Sequence, residues 1–141
     1  MRGVHMNQYY NQNYTKKDIE EILTIIKECV STDNYIISQN NNRQENIAFI
    51  NEYNIRRSRQ KSILMQIMVE DFCHTLQNKN PVYEHEILYV FVPQIELYNA
   101  AGEAESVDIY TKFNIINRSS GNYTVVISFH KRNKPIDYLF R

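Results

Sequence analysis

Two stretches near the C-terminus carry the side chains best suited to chemistry. They are Val107-Asp108-Ile109-Tyr110-Thr111-Lys112-Phe113-Asn114-Ile115 and Tyr123-Thr124-Val125-Val126-Ile127-Ser128-Phe129-His130-Lys131. Successive residues of a strand point to opposite faces, so Val107, Ile109, Phe113 and Ile115 face one way and Tyr110, Lys112 and Asn114 the other. In the second run Ser128 and His130 stand opposite Val125, Ile127 and Phe129. A hairpin of the two gathers Tyr110, Lys112, Ser128 and His130 on one wet face. A phenol, an ammonium, a hydroxyl and an imidazole side by side suit acid–base chemistry on a phosphate ester without a metal. Pairing Tyr110 with His130 sets Lys112 opposite Ser128, although a slip of two residues would keep the faces and change the partners.

Each residue also has a plainer reading. His130 is the leading proton-transfer candidate, because histidine titrates near neutrality and Lys112 and Lys131 favour its neutral form. A solvent-facing strand histidine can equally be inert. Tyr110 could donate a hydrogen bond to a phosphate oxygen, yet tyrosine is a common strand residue. Lys112 and Arg43 could stabilise charge on non-bridging oxygens, and either could be a surface solubiliser. Ser128, Lys131 and Arg132 join Arg43 as expected substrate-holding groups, with Ser128 more a spacer than a nucleophile. Glu70 and Asp71 read better as a structural cap than as catalytic carboxylates.

The elements that would position these groups follow from the hydrophobic pattern. Residues 1–14 are polar and Asn/Gln-rich without periodicity, which reads as a flexible or loosely docked arm. Residues 15–141 read as one domain. Thr15 and Asp18 make a capping box, and Ile19, Ile22, Leu23, Ile26 and Cys29 recur at helical spacing, predicting a helix from about Lys16 to Val30. Tyr35 to Ser38 reads as a strand or extended edge and Gln39 to Arg43 as a polar loop. A short helix over Asn46 to Tyr53 should bury Ile47, Phe49 and Ile50. Another, opening near Ser58 and ending near Val69, should carry Ile63, Leu64, Ile67 and Met68 inward. From Pro81 the period becomes alternating: strands over Glu86–Val92, Gln94–Tyr98, Val107–Ile116 and Tyr123–His130, with Pro93 at a bulge or edge. Helices first and an antiparallel meander afterwards define an α+β domain, N-terminal helices packed on a C-terminal antiparallel sheet.

Composition bounds the partners. The 141 residues carry 16 Lys and Arg against 16 Asp and Glu, which argues against indiscriminate coating of nucleic acid. The charge is unevenly spread along the chain. From Ser106 onward six bases, Lys112, Arg118, Lys131, Arg132, Lys134 and Arg141, face two acids, Asp108 and Asp137, a net of +4 balanced by −4 before it. Arg56, Arg57, Arg59 and Lys61 form a second basic cluster, read either as a solvated helix start or as an RNA-backbone contact. Cys29 and Cys73, with no C-x-x-C, fit free buried thiols. With no apolar run of membrane-spanning length and no leader, a cytoplasmic protein without membrane contact is expected. His5, His74 and His85 lack ligand spacing and no glycine-rich phosphate loop is present, so neither metal nor cofactor is expected.

Taken in order, Tyr35 to Ser38, Asn46 to Tyr53, Val69 to Phe72, Tyr89 to Phe91, Ile109 to Lys112, Ile127 to His130 and Pro135 to Tyr138 resemble the toxins of the motility quorum-sensing regulator family. These belong to bacterial type II toxin–antitoxin pairs and are similar in fold to the RelE-type ribonucleases. The resemblance covers most of residues 35–141 and rests on the order of short motifs. It implies a RelE-like, metal-independent mRNA interferase in which the ribose 2′-OH attacks the adjacent phosphate, leaving a cyclic phosphate and a 5′-OH. Tyr110 and Lys112 match the family's Tyr-x-Lys strand, and His130 the position after Ser-Phe, which is a lysine in some members. The departure matters, because histidine can act as a true acid or base whereas lysine is chiefly electrostatic. Phe72 and Tyr89 stand where other aromatics are usual. Implied partners are mRNA, a cognate antitoxin, and a homodimer or toxin–antitoxin hetero-oligomer. The competing reading is a non-catalytic RNA- or protein-binding regulator or inhibitor, harmless when expressed alone.

Overall fold

The computed structural model describes residues 10–77 and 86–141. Seven strands, β1 (Tyr10–Asn11), β2 (Tyr35–Ile37), β3 (Phe72–Gln77), β4 (Ile87–Phe91), β5 (Gln94–Tyr98), β6 (Ala104–Arg118) and β7 (Gly121–Lys131), run in the order β1-β3-β4-β6-β7-β2, with β5 pairing the first part of β6. Three helices, α1 (Lys16–Ser31), α2 (Gln44–Glu52) and α3 (Arg57–Met65), pack on this sheet, an α+β domain as expected. The all-antiparallel expectation is corrected at one place: β2 pairs β7 in parallel, Tyr35 against Thr124. Among the described residues no helix is long and apolar enough to cross a membrane.

Local chemistry explains most boundaries. The Thr15 hydroxyl accepts from the Asp18 amide at 3.1 Å, and the Asp18 carboxylate accepts from the Thr15 amide at 2.9 Å, satisfying two N-terminal donors of α1. That helix buries Ile19, Leu23, Ile26, Cys29 and Val30. In α2 only Phe49 of the expected apolar trio is fully buried, with Ile47 and Ile50 half-covered. The third helix stops at Met65, so Ile67 is buried from outside it while Met68 is exposed, not inward as its spacing suggested. Strand β3, unanticipated in the sequence, lies between β1 and β4. Its Phe72, with Phe91, Phe113 and Phe129 from neighbouring strands, forms a fully buried aromatic row beneath the helices.

The last five residues of the expected arm dock on the sheet. Tyr10 and Asn11 pair with Leu76 and Thr75, and the Tyr14 phenol lies 2.8 Å from the Thr75 hydroxyl. The rest of that arm, His5, His85 and Pro81, where the period was expected to change, lie outside the described residues. Asp71 closes the turn Val69–Asp71 by accepting from the Met68 amide at 2.8 Å and pairs with Arg141 at 2.8 Å, while Glu70 pairs with Lys16 at 3.0 Å. This acid pair is structural, as favoured. The basic cluster at the start of α3 is largely engaged too. Arg59 donates to the Glu96 carbonyl at 3.0 Å, Lys61 pairs with Asp33 at 3.0 Å, and Arg57 lies over the Tyr35 ring.

On the sheet face away from the helices, Cys73, Val90 and Val92 form a smaller apolar cluster covered by Ile136 and Tyr138 of the C-terminal segment. The Tyr138 phenol donates to the Val92 carbonyl at 2.6 Å. His74 is buried on β3 with its ring 4.3 Å from that of Tyr10, and its Nδ1 has no hydrogen-bond partner among the described residues. Burial pushes its pKa down to about 4, with Asp137 opposing and Lys112 adding to the shift. The folded imidazole is therefore neutral where the unfolded one, near 6.5, gains a proton. Its contribution is fully present above pH 6.5 and is lost as pH falls towards 4. The expected loss is about 3 kcal/mol across that window. Urea denaturation of wild type and His74→Leu at several pH values should show a gap that changes through this range; a constant gap would sink the assignment.

Candidate functional site

The β6–β7 hairpin places the site. Its register pairs Tyr110 with His130 and Lys112 with Ser128, the pairing expected from the sequence. The strands run further than anticipated, to Arg118 and back from Gly121, so the hairpin turns through Ser119 and Ser120 alone. Gly121 has φ +121°, a conformation that favours glycine at this tight return. Between Lys112 and Phe113 the register shifts, because β7 carries Ile127 as an extra residue.

That bulge corrects the expected second face. Val126, not Val125 or Ile127, faces the core with Phe129, and Thr124 joins them inside. Asn46 of α2 occupies the irregularity. Its side-chain amide donates to the Ser38 and Ile127 carbonyls at 2.8 and 3.0 Å, and its oxygen accepts from the Phe129 amide at 2.8 Å. A buried asparagine thereby supplies the partners that a bulged ladder lacks and ties the start of α2 to β7.

The result is a pocket of ≈ 260 Å³ between the hairpin face, the start of α2 and the C-terminal segment. Tyr110, Lys112, Ser128, His130 and Arg43 all line it. Lys131 and Arg132, expected to hold substrate, do not. Lys131 pairs with Glu52 at 3.0 Å and lies over the Tyr53 ring, while Arg132 pairs with Asp108 at 3.1 Å. In their place stands Lys134, unmarked by any strand period, together with Asn42, Glu45 and Asn133. Half of the six C-terminal bases are thus ion-paired: Lys131, Arg132 and Arg141 have carboxylate partners, while Arg118 lies over the Tyr123 ring. Among the described residues Arg43, Lys112 and Lys134 form no ion pair, and these three cations share the pocket.

His130 is held in a defined orientation. Its ring lies 20° from parallel to that of Tyr110 at a centroid distance of 5.4 Å. Nδ1 lies 2.8 Å from the Lys131 carbonyl oxygen. A carbonyl can only accept, so Nδ1 carries the hydrogen and the neutral ring presents its lone pair at Nε2. Nε2 is 4.0 Å from a Glu45 carboxylate oxygen, whose partner oxygen accepts from the Asn133 amide at 2.8 Å. Burial, with a smaller effect from Cys73, raises the Tyr110 pKa, so its phenol stays a hydrogen-bond donor. Burial, then Arg43 and Lys134, lower that of Lys112.

A lysine whose charge is disfavoured by burial and by neighbouring cations costs stability when no anion is bound. A Lys112→Met variant should therefore unfold a few degrees above wild type while losing affinity for anions. Thermal melts at low phosphate and sulfate check this, and a lowered midpoint would count against an unpaired, desolvated ammonium at this position.

No family model, curated protein or solved structure matches this chain. Among the described residues no three His, Cys, Asp or Glu side chains converge as a metal-binding group.

Proposed function

We propose that this chain is a metal-independent endoribonuclease acting in the cytoplasm as the toxin of a type II toxin–antitoxin pair. The observation that carries the reading is the meeting in one pocket of an oriented imidazole, a protonated phenol and three cations that form no ion pair among the described residues. His130 Nε2, the unprotonated nitrogen of the neutral ring, takes the proton of the ribose 2′-OH as that oxygen attacks phosphorus. Attack turns the singly charged diester into a doubly charged five-coordinate state. Arg43, Lys112 and Lys134 favour that added charge over the ground state, which is what lowers a barrier. Tyr110 donates a hydrogen bond to a non-bridging oxygen. Lys112, whose proton burial and its neighbours have loosened, is suited to protonate the departing 5′-oxygen. Ser128 lies buried in the wall and spaces His130 from the bulge.

The test is incubation of a mixed-sequence RNA with the purified protein in excess EDTA, followed by analysis of both new ends. Cyclic phosphate and 5′-hydroxyl ends are expected, and a strand lacking the 2′-OH at the cleaved position should survive. Expression of the chain alone should arrest growth, with rescue by its cognate antitoxin. Intact RNA together with salt-dependent binding would overturn catalysis and leave a binding module.

A further inference from the structure

The pocket is unusual for the amount of charge it leaves uncompensated. Arg43, Lys112 and Lys134 line it without ion-pair partners among the described residues, and Glu45 is the single carboxylate among its described lining residues. Glu45 is partly committed elsewhere, through Asn133 at 2.8 Å and towards His130 Nε2 at 4.0 Å. His130 aside, the three cations and one carboxylate of the lining sum to a net of two positive charges, where one backbone diester supplies a single negative one. A bound diester therefore leaves a cation unsatisfied.

We infer that the pocket is a binding site for phosphate monoester dianions, and that it prefers a terminal phosphate to an internal diester. In an RNA setting that ligand is a 3′-phosphorylated end. Hydrolysis of the cyclic product creates it: water adds across one P–O bond of the ring, leaving a 3′-phosphate monoester and a free 2′-hydroxyl. Such ends would stay in the site and compete with fresh RNA, so the product inhibits unless another enzyme removes its phosphate. The inference rests on the nuclease reading for the placement of phosphate beside His130, while its charge argument stands on the lining residues alone.

The energetic direction is set by geometry. The same guanidinium and ammonium groups that would stabilise a doubly charged five-coordinate phosphorus meet a monoester dianion with the same total charge and a similar shell of oxygens. Desolvation strengthens the discrimination, because Lys112 is largely withdrawn from water on the sheet face. Asn42 and Asn133 supply neutral amides at the rim, which can donate without adding charge.

Base-free probes isolate the effect. The full chain is titrated at about pH 8 and low salt with methyl phosphate, which carries two charges, and with dimethyl phosphate, which carries one, following backbone amide signals by NMR. Methyl phosphate should bind at least about tenfold more tightly, with the largest shifts at Arg43, Tyr110, Lys112, His130 and Lys134. Lys134→Gln should erase most of the preference. Equal affinity for the two esters, or shifts centred on surface lysines such as Lys17 and Lys27, would overturn the inference. RNA cleavage is measured separately on the same samples. Cleavage without discrimination removes the dianion site and leaves the nuclease; discrimination without cleavage removes the nuclease and leaves the site.

Discussion

His130→Ala is expected to slow RNA cleavage by about 10²–10⁴-fold, the range set by loss of one positioned acid–base group. The residue lies on a strand that stays paired without its ring, since β6 and β7 are joined through backbone bonds along their whole length. Removing the imidazole forfeits its stacking on Tyr110, worth about 1 kcal/mol, so the variant should remain folded and circular dichroism should match wild type. His130→Lys separates the two roles this position can play. A lysine places a positive charge beside the phosphate but has no neutral acceptor nitrogen at ordinary pH. If it recovers most of the cleavage lost in the alanine variant, His130 acts through charge and the proton-transfer role is wrong. Tyr110→Phe should be milder, since it removes one donor and keeps the ring against which His130 is stacked.

How far this site could be read in advance depended on the range of the interactions that build it. Alternation along β6 and β7 is a local property, and it located Tyr110, Lys112, Ser128 and His130 on one face; it left the register open to a two-residue slip, and the structure has the pairing of Tyr110 with His130. The capping box and apolar spacing of α1 are equally local, and that helix begins where they place it. The bulge at Ile127 is different. Nothing in Val125-Val126-Ile127 distinguishes the residue to be extruded, because the choice is made by Asn46, far away in sequence, offering hydrogen bonds to the bulged backbone. The basic residues divided in the same way. Lys131 and Arg132 continue the strand but find Glu52 and Asp108, whereas Lys134 follows the strand and reaches the pocket because the C-terminal segment folds back over the sheet. Strand β3 escaped notice since its apolar and polar residues do not alternate: Phe72, Cys73, His74 and Thr75 are all buried between two layers.

Asn46 should therefore matter to both stability and function, although it contributes no charge. Its amide group serves three backbone partners, and at 1% exposure no water can take its place without rearrangement. Truncation in Asn46→Ala leaves the Phe129 amide and the Ser38 and Ile127 carbonyls without that partner, at a cost of about 3–5 kcal/mol in total. Asn46→Asp is the sharper probe. It keeps the acceptor for the Phe129 amide but turns the donor towards two carbonyls into a second oxygen, so it should be destabilised at neutral pH and improve on acidification, when a protonated carboxyl can donate again. Arg43 and Glu45 lie in the same stretch that Asn46 tethers to β7. RNA cleavage by Asn46→Asp should accordingly fall by more than the unfolded fraction accounts for, even at a temperature where denaturation shows the chain folded. Wild-type cleavage in a folded Asn46→Asp sample would show that the pocket keeps its shape without this tether, and the three hydrogen bonds would then be a matter of stability alone.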